Sequence, residues 1–261
     1  MPLSATAAAS VVAMIGSPVA QTVLPSRFNA WFSDKSINAL MVPLDVAPES
    51  LAAFCEAVRG WSNCRGFVVT APHKQAILPM LDTISDTARL IGAVNIVVRN
   101  ADGRLQGDTI DGAGFFAALR KKSFDPSGKS ALLFGCGGAG AAIAAELIAG
   151  RIARLDLIDL DGAKAVNLSN RLGLPCKPCE PDAAVSGYDL IVNATAIGLG
   201  SNAMVHQLDG VAPGTLVADV VTHPPVTAFL AGARTAGCTI QTGAEMAEGQ
   251  FEMAASQFGF M

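Results

Sequence analysis

The sequence has few aromatic residues and no strong excess of charge of either sign. Of its 261 residues 51% are hydrophobic, but these include only two Trp and one Tyr. The hydrophobic core must therefore consist mostly of Ala, Val, Leu and Ile. Eighteen basic residues stand against twenty-two acidic ones, and the longest basic run is Arg120–Lys121–Lys122. Because nucleic-acid binding needs a basic patch, this composition predicts no nucleic-acid partner.

No segment has the uninterrupted apolar length of a membrane span. The uncharged stretch 190–208 contains Asn, Thr, Ser, His and Gln, which a membrane-spanning helix rarely combines. The apolar stretch 7–15 resembles the core of a signal peptide. However, it lacks a basic segment before it and runs into Gly16–Ser17–Pro18 like a first strand. The sequence therefore predicts a cytoplasmic protein without a membrane partner.

Cysteine and histidine are too scattered to form an obvious metal site. The pair Cys176 and Cys179 forms a C-x-x-C motif, but no second pair or histidine cluster completes a zinc site. The pair is either redox-active or simply two unrelated thiols in a proline-rich loop. The remaining cysteines suggest no disulfide framework, which suits a reducing compartment. The three histidines, His73, His206 and His223, also lack metal-ligand spacing, so no metal is predicted.

A glycine-rich motif stands at the centre of the chain. The apolar run 131–134 reads as a buried strand and is followed by Gly135, Gly137 and Gly140 in the pattern G-x-G-x-x-G, then by an Ala-rich helix ending at Gly150. In such a turn the backbone, here including Gly138 and Ala139, can approach a pyrophosphate at the N-terminus of the helix. Because strand, glycine turn and helix occur together, the motif predicts a dinucleotide-binding domain.

The nature of the dinucleotide follows from the end of the next predicted strand, 154–158. Asp159 comes directly after it, about where an acidic side chain accepts hydrogen bonds from the adenosine ribose of NAD. Asp161 follows, and the next basic residue is Lys164, already inside the following helix. Two acids without an arginine should repel the 2′-phosphate of NADP. We therefore predict at least a tenfold preference for NAD over NADP. The alternative, that Asp159 merely caps the following helix, would still leave the 2′-phosphate without a partner.

Strands and helices alternate throughout, which predicts an α/β protein with mostly parallel sheets. The first half reads as strands at 11–15, 39–44, 66–70 and 93–99, a hairpin turn at 100–103, and helices at 25–33, 48–60 and 75–91. The second half reads as strands at 131–134, 154–158, 190–192, 216–220 and 238–241, with helices at 111–120 and 244–258. We predict a smaller α/β substrate domain, residues 1–110 and 244–261, and a Rossmann-type domain, residues 111–243. The last helix is expected to pack back on the first half, so that the two domains share a cleft.

Two charged residues of the first half are candidates for proton transfer. Lys74 lies in the turn Val69–Thr70–Ala71–Pro72–His73–Lys74 at the end of a predicted strand. A lysine in a cleft can exchange a proton with a substrate alcohol. Asp111, in the segment 107–112, could orient the amine as its partner. From the residues alone, a given lysine or aspartate is more often a solvated surface charge.

A series of motifs in order resembles the shikimate dehydrogenase family over nearly the whole chain. They are Gly16–Ser17–Pro18–Val19, Pro25 with Asn29, 69–74, Gly92–Ala93–Val94–Asn95, Asp111–Gly112–Ala113–Gly114–Phe115, 135–139, Asn193–Ala194–Thr195, and Gly243–Ala244–Glu245–Met246 with Gln250. The resemblance implies a hydride transfer between a cyclic hydroxy acid, such as shikimate or quinate, and its 3-keto form. It implies that Lys74 and Asp111 are catalytic and that Thr22, Thr70, Asn95 and Gln250 touch the substrate. Asn193, Ala194, Thr195, Val220, Gly243 and Met246 are expected to border the nicotinamide.

The chain also departs from the family pattern. The family's His-Ser-x-Ser is here Gln21–Thr22–Val23–Leu24, so one of two carboxylate-binding hydroxyls is lost to Leu24. Val68 replaces an asparagine, and Thr109 and Ile110 replace an asparagine and a threonine. Shikimate is therefore in doubt as the best substrate, and a related, less polar hydroxy or keto ring acid fits this pattern. The alternative to an enzyme is a non-catalytic sensor that binds NAD. In either case we expect a monomer or a homodimer.

Overall fold

The computed structural model describes residues 6–20, 22–173 and 175–261. The expectation for Gln21 lies outside these residues. The chain divides into two compact units, one running to Ile110 and including Phe251–Met261, the other comprising Asp111–Gln250. The assignment of the first unit to substrate and the second to dinucleotide stays a prediction.

The first unit is built on a six-stranded mixed sheet. Its elements are β1 (Ser10–Gly16), α1 (Leu24–Asp34), β2 (Ala39–Asp45), a 3₁₀ turn (Pro48–Ser50), α2 (Leu51–Arg59), β3 (Cys64–Val69), α3 (His73–Ala76), a second 3₁₀ turn (Leu78–Met80), β4 (Thr83–Ile84), α4 (Asp86–Ile91), β5 (Ile96–Arg99) and β6 (Leu105–Asp108). The strand order is β2-β1-β3-β5-β6-β4. Strands β1, β2 and β3 are parallel, whereas β5 and β6 form the predicted antiparallel hairpin.

This sheet is covered on both faces. In β1, Val12 and Met14 belong to one hydrophobic cluster, whereas Ala13 and Ile15 belong to another. Such alternation is expected of a strand that is buried on both sides. The first cluster contains most of the unit's buried aromatic rings, and Phe28 of α1 lies 4.6 Å from Phe251 between ring centroids.

The single helix predicted over residues 75–91 is wrong. The segment forms α3, a 3₁₀ turn, the short strand β4 and α4 instead. Pro79 lies within the 3₁₀ turn, where its missing N–H and fixed φ break a helix. Ser85 then starts α4 because its hydroxyl accepts a hydrogen bond from the Ala88 amide. Local capping therefore overrides the apolar periodicity.

The second unit is built on a fully parallel six-stranded sheet. Its elements are α5 (Asp111–Lys121), β7 (Ser130–Phe134), α6 (Gly138–Ala149), β8 (Arg154–Ile158), α7 (Gly162–Leu172), β9 (Cys176–Pro178), β10 (Leu190–Asn193), β11 (Leu216–Asp219), α8 (Ala228–Thr235), β12 (Thr239–Gln241) and α9 (Gly243–Gln257), whose last turns belong to the first unit. The strand order is β12-β11-β10-β7-β8-β9. This is the doubly wound order of the Rossmann fold, and ligands of such sheets bind at the carboxyl ends of the strands.

The C-x-x-C segment forms a strand rather than the loop considered from sequence. It pairs parallel with β8 at the edge of the sheet, where Pro178 is tolerated as the last residue. Cys176 and Cys179 are both free thiols. Burial raises the pKa of Cys176 to about 12 and also raises that of Cys179. Thiols with raised pKa values are poor nucleophiles, so a redox role has no support in this structure.

Residues 6–20, 22–173 and 175–261 contain neither a membrane-spanning helix nor a metal-ligand cluster. None of the helices there is both long enough and apolar enough to cross a membrane. No group of three or more His, Cys, Asp or Glu side chains suited to a metal ion occurs in the same part of the chain.

Candidate active site

Lys74 lies at the carboxyl end of β3, in the short helix α3. Its backbone carbonyl accepts a hydrogen bond of 2.8 Å from the amide of Val94, which precedes β5. The adjoining turn is tied to β1, because Thr70 N donates to Ile15 O over 2.9 Å. The lysine is thus carried by a turn that the ends of neighbouring strands hold in place, and its side chain is half-buried.

His73, the neighbour of Lys74, strengthens this turn. Its ring is buried, and Nε2 lies 2.7 Å from the carbonyl oxygen of Val46 in the loop after β2. The amide of Val46 in turn donates to the carbonyl of Gly16, the last residue of β1, over 3.0 Å. The imidazole therefore links the lysine turn to two other strand ends. His73 was expected to be structural or incidental rather than a metal ligand, and its buried ring has a structural role here.

The other predicted substrate residues of the first unit differ in what they offer to a ligand. Asn95 is buried, and its Oδ1 accepts a hydrogen bond of 2.8 Å from the Ile110 amide. Thr22 donates its hydroxyl proton to Val19 O over 2.8 Å, so towards a ligand this hydroxyl can only accept. Thr70 is half-buried. Leu24 packs against the aromatic core cluster under α1.

Asp111 and Gln250 are brought together in the second unit. Gln250 Nε2 donates to Asp111 Oδ1 over 2.6 Å, and Asp111 is almost completely buried as the first residue of α5. Two glycines permit this close approach of α5 and α9. A Cβ on Gly249 would lie 2.5 Å from Gly114 O, and one on Gly114 would lie 2.8 Å from Gln250 N.

The glycine loop after β7 has the geometry that phosphate binding requires. Gly135 has φ of +93°, and a Cβ there would meet Thr195 at 2.8 Å. A Cβ on Gly140 would lie 1.9 Å from Gly135 O. A Cβ on Gly137, by contrast, would meet nothing within 4 Å. The backbone is therefore open towards a ligand at Gly137, where the N-terminus of α6 begins with Gly138 and Ala139. A pyrophosphate fits this cradle.

The turn after β10 packs directly on this loop. Asn193 is completely buried, and its Oδ1 accepts hydrogen bonds from Thr195 N and Thr195 Oγ1 over 3.0 and 2.7 Å. Its Nδ2 donates to Ile197 O and to Asp219 Oδ1, both over 3.0 Å. The amide of Asn193 is thus used inside the protein, and the turn can present its backbone and the half-buried Ala194 and Thr195 to a ligand.

The remaining predicted nicotinamide contacts lie around the start of α9. A Cβ on Gly243 would lie 2.4 Å from Val221 O and 2.6 Å from Val220 O, so glycine is needed for this packing. Val220 is half-buried. Met246 is 4% exposed and packs mostly inside the unit.

Asp159 accepts two backbone hydrogen bonds, one from the glycine loop and one from its own loop. Its Oδ2 accepts from the amide of Cys136 over 2.8 Å, and its Oδ1 accepts from the amide of Asp161 over 2.9 Å. Asp161 in turn caps α7 by accepting from Ala163 N over 3.2 Å. Asp159 therefore joins the loop after β8 to the glycine loop.

A parallel sheet of this order, with an open glycine loop at the N-terminus of α6, is typical of the class of dinucleotide-binding Rossmann-fold proteins. Comparison with known proteins gives the family. The family model for the shikimate dehydrogenase substrate binding domain matches residues 14–97. The shikimate dehydrogenase (NADP(+)) of Rubrobacter xylanophilus is 37% identical over 236 residues, which make up 87% of this chain and 83% of that protein.

Solved structures agree with this result. The 5-ketofructose reductase of Gluconobacter sp. strain CHM43 has a TM-score of 0.90 and 31% identity, with 97% of this chain and 94% of that chain covered. The shikimate 5-dehydrogenase of Thermus thermophilus, solved with NADP(H) and shikimate, has a TM-score of 0.89 and 29% identity, with coverages of 97% and 94%. The chain belongs to the shikimate dehydrogenase family and is an oxidoreductase that acts on CH–OH groups.

The predicted preference for NAD is wrong. Curated relatives with 36–37% identity are named shikimate dehydrogenase (NADP(+)). The structure gives a physical reason why Asp159 misled the prediction. Both of its oxygens accept backbone N–H groups, so it has a role in shaping the loop that does not depend on a ribose. The two amide dipoles also offset the negative charge of Asp159, which the prediction expected to repel a 2′-phosphate.

Proposed function

We propose that the protein is an NADP(H)-dependent oxidoreductase that interconverts a ring hydroxyl of a shikimate-like acid and the corresponding ketone. The observation that carries this proposal is the hydrogen bond between Asp111 and Gln250. It joins two residues that are distant in sequence and that the family resemblance assigns to one substrate site. The naming of the relatives as NADP(+) enzymes supports the choice of cofactor.

The residues of the second unit fit a dinucleotide. The backbone from Gly137 to Ala139 would hold the pyrophosphate, because a Cβ would find open space at Gly137 and the N–H groups of the first turn of α6 have no intrahelical partners. The turn Asn193–Ala194–Thr195 would border the nicotinamide. When bound, the nicotinamide accepts or donates the hydride at its C4 atom.

Lys74 is the proposed general acid–base. As the hydroxyl is oxidised, its proton passes to the Nζ atom, and the same proton returns to the oxygen in the reverse direction. Such a transfer typically contributes about 10²–10⁴-fold in rate. The turn held by His73, Val94 and Ile15 keeps the lysine backbone in place.

Asp111 would accept a hydrogen bond from a substrate hydroxyl. The bond from Gln250 orients its carboxylate towards the substrate site. Gln250 Oε1 could accept a second substrate hydroxyl. This pair therefore suits a substrate with neighbouring hydroxyl groups.

A neutral ketose is the second candidate substrate. Leu24 packs into the core cluster, and the hydroxyl proton of Thr22 goes to Val19 O. Neither side chain is therefore available to donate a hydrogen bond to a substrate carboxylate. A relative with 31% identity is a 5-ketofructose reductase.

The experiment is a steady-state assay of the purified protein. We expect reduction of NADP with shikimate or quinate, or oxidation of NADPH with 5-ketofructose. Turnover of shikimate or quinate would identify a ring acid as the substrate, and turnover of 5-ketofructose would identify a neutral ketose. Binding of NADP without turnover of any of these compounds would favour the non-catalytic sensor.

A further inference from the structure

A buried carboxylate lies at the carboxyl end of β11, outside the residues discussed as ligands. Asp219 is 1% exposed and accepts three hydrogen bonds. The donors are Asn193 Nδ2 at 3.0 Å, Val221 N at 2.9 Å and Thr227 Oγ1 at 2.7 Å. Asn193 and Asp219 are register partners at the ends of two parallel strands. One side chain thus connects three consecutive parts of the unit.

The first of these parts is the turn Asn193–Ala194–Thr195. Asp219 fixes the Nδ2 group of Asn193, which leaves Oδ1 directed at Thr195 N and Oγ1. A Cβ on Gly135 would lie 2.8 Å from Thr195 Cγ2 and 3.0 Å from Ala194 C. The orientation of the Asn193 amide therefore determines how this turn packs on the glycine loop.

The other two parts are the turn after β11 and the start of α8. The bond from Val221 N fixes the turn whose carbonyls at Val220 and Val221 pack on Gly243. Thr227 is the N-cap of α8, and its hydroxyl accepts from Leu230 N while it donates to Asp219. Because hydrogen bonds to an ionised acceptor are roughly twice as strong as neutral ones, the carboxylate can hold these elements together.

We propose that Asp219 is a positioning residue for the nicotinamide half of the cofactor. It acts by holding the turns at 193–195 and 220–221 in the geometry that binds this half. The inference rests on the proposed function, in which these two turns border the nicotinamide. Burial raises the pKa of Asp219, so ionising this carboxyl costs the folded state free energy that an apolar residue would avoid. Such groups often occur at functional sites.

The test compares two ligands. NADP reaches both halves of the proposed site, whereas adenosine 2′,5′-bisphosphate reaches only the half formed by the glycine loop and the loop after β8. For Asp219→Ala, we expect the Kd of NADP to rise about tenfold and that of the bisphosphate to stay within twofold. A general loss of folding would weaken both ligands together. Calorimetric titration of the full chain measures both values.

Three variants serve as controls. Asp219→Asn should recover part of the NADP affinity, because its remaining oxygen can accept from Asn193 and Val221, and the Thr227 hydroxyl can turn to accept its NH₂ group, although these bonds are weaker than those to a carboxylate. Asp189→Ala removes a carboxylate that bonds Ser130 at the amino end of β10 and should change neither Kd. Thr227→Val removes one donor to Asp219 and should raise the Kd of NADP about threefold even if Asp219→Ala does not fold.

The outcomes separate the two proposals. If the unaltered protein binds no NADP, the proposed function fails, and this inference fails with it. If it binds NADP and neither Asp219→Ala nor Thr227→Val changes the ratio of the two Kd values, the positioning role alone is overturned.

Discussion

The side chain of Gln250 donates a hydrogen bond of 2.6 Å to the carboxylate of Asp111. The bond depends on close packing of α5 and α9 at Gly114 and Gly249. It gives the catalytic candidate Asp111 a fixed orientation, which a solvated surface carboxylate would not have. The substrate site is therefore expected to respond to changes at either residue.

The first prediction concerns Gln250→Leu. Loss of the amide leaves Asp111 without this donor, so we expect the KM of the substrate to rise about tenfold, since a hydrogen bond to a charged group is worth about 1.5–3 kcal/mol. The Kd of NADP should not change. Gln257→Leu is a matched control, because Gln257 Nε2 also donates to an aspartate, Asp108, over 3.0 Å. A similar rise in KM for both variants would contradict a specific role for Gln250.

The second prediction concerns the proton-transfer residue. Lys74→Ala should lower kcat by about 10²–10⁴-fold, the usual contribution of a placed general acid or base. The Kd of NADP should be nearly unchanged. Lys35→Ala, which alters an exposed lysine after α1, is the control and should leave kcat as it is. An unchanged kcat in Lys74→Ala would exclude the assigned role.

The fold was largely predictable from the sequence, whereas several details were not. The G-x-G-x-x-G motif and the apolar runs beside it are local patterns, and β7, the glycine turn and α6 follow from them. The helix over 75–91 failed because Pro79 and the cap of Ser85 interrupt an otherwise helical pattern. The strand β9 was not predicted because it has only three residues and includes Pro178, so it lacks the pattern of a strand.

Site details depended on contacts between distant residues. Asp159 looked like a ribose ligand, but its partners are the amides of Cys136 and Asp161. Nothing local in the sequence marks Asp219, whose donors Asn193 and Thr227 are brought to it only by the parallel pairing of β10 and β11 and by the return of the chain into α8. Such networks can be identified only once strand order and register are known.

The third prediction tests the carboxylate end of the substrate site. Leu24→Ser should increase kcat/KM for shikimate about tenfold, because the new hydroxyl can donate to the carboxylate that Leu24 does not bind. The same substitution should not improve kcat/KM for 5-ketofructose, which has no carboxylate. Efficient turnover of shikimate at micromolar concentrations by the unaltered protein would contradict this account of Leu24.

The fourth prediction concerns the 2′-phosphate of NADP. Lys164 lies in the first turn of α7, and its positive charge acts to lower the pKa of the Cys136 thiol in the glycine loop, although burial dominates and raises that pKa to about 12. We expect Lys164→Ala to raise the Kd of NADP about tenfold, or about 1.4 kcal/mol. Lys121→Ala on α5 is the control. Equal Kd values for NADP in the two variants would show that another group binds the phosphate.

The most direct test of the proposed reaction follows the hydride itself. Shikimate carrying deuterium at the oxidised ring carbon is incubated with the protein and NADP, and the reduced cofactor is analysed by mass spectrometry. The account predicts one deuterium in each NADPH formed and almost none formed by Lys74→Ala. The contradicting result is that no labelled NADPH forms from shikimate and that quinate and 5-ketofructose are not turned over either. Hydride transfer to or from these substrates would then not be the function of this protein.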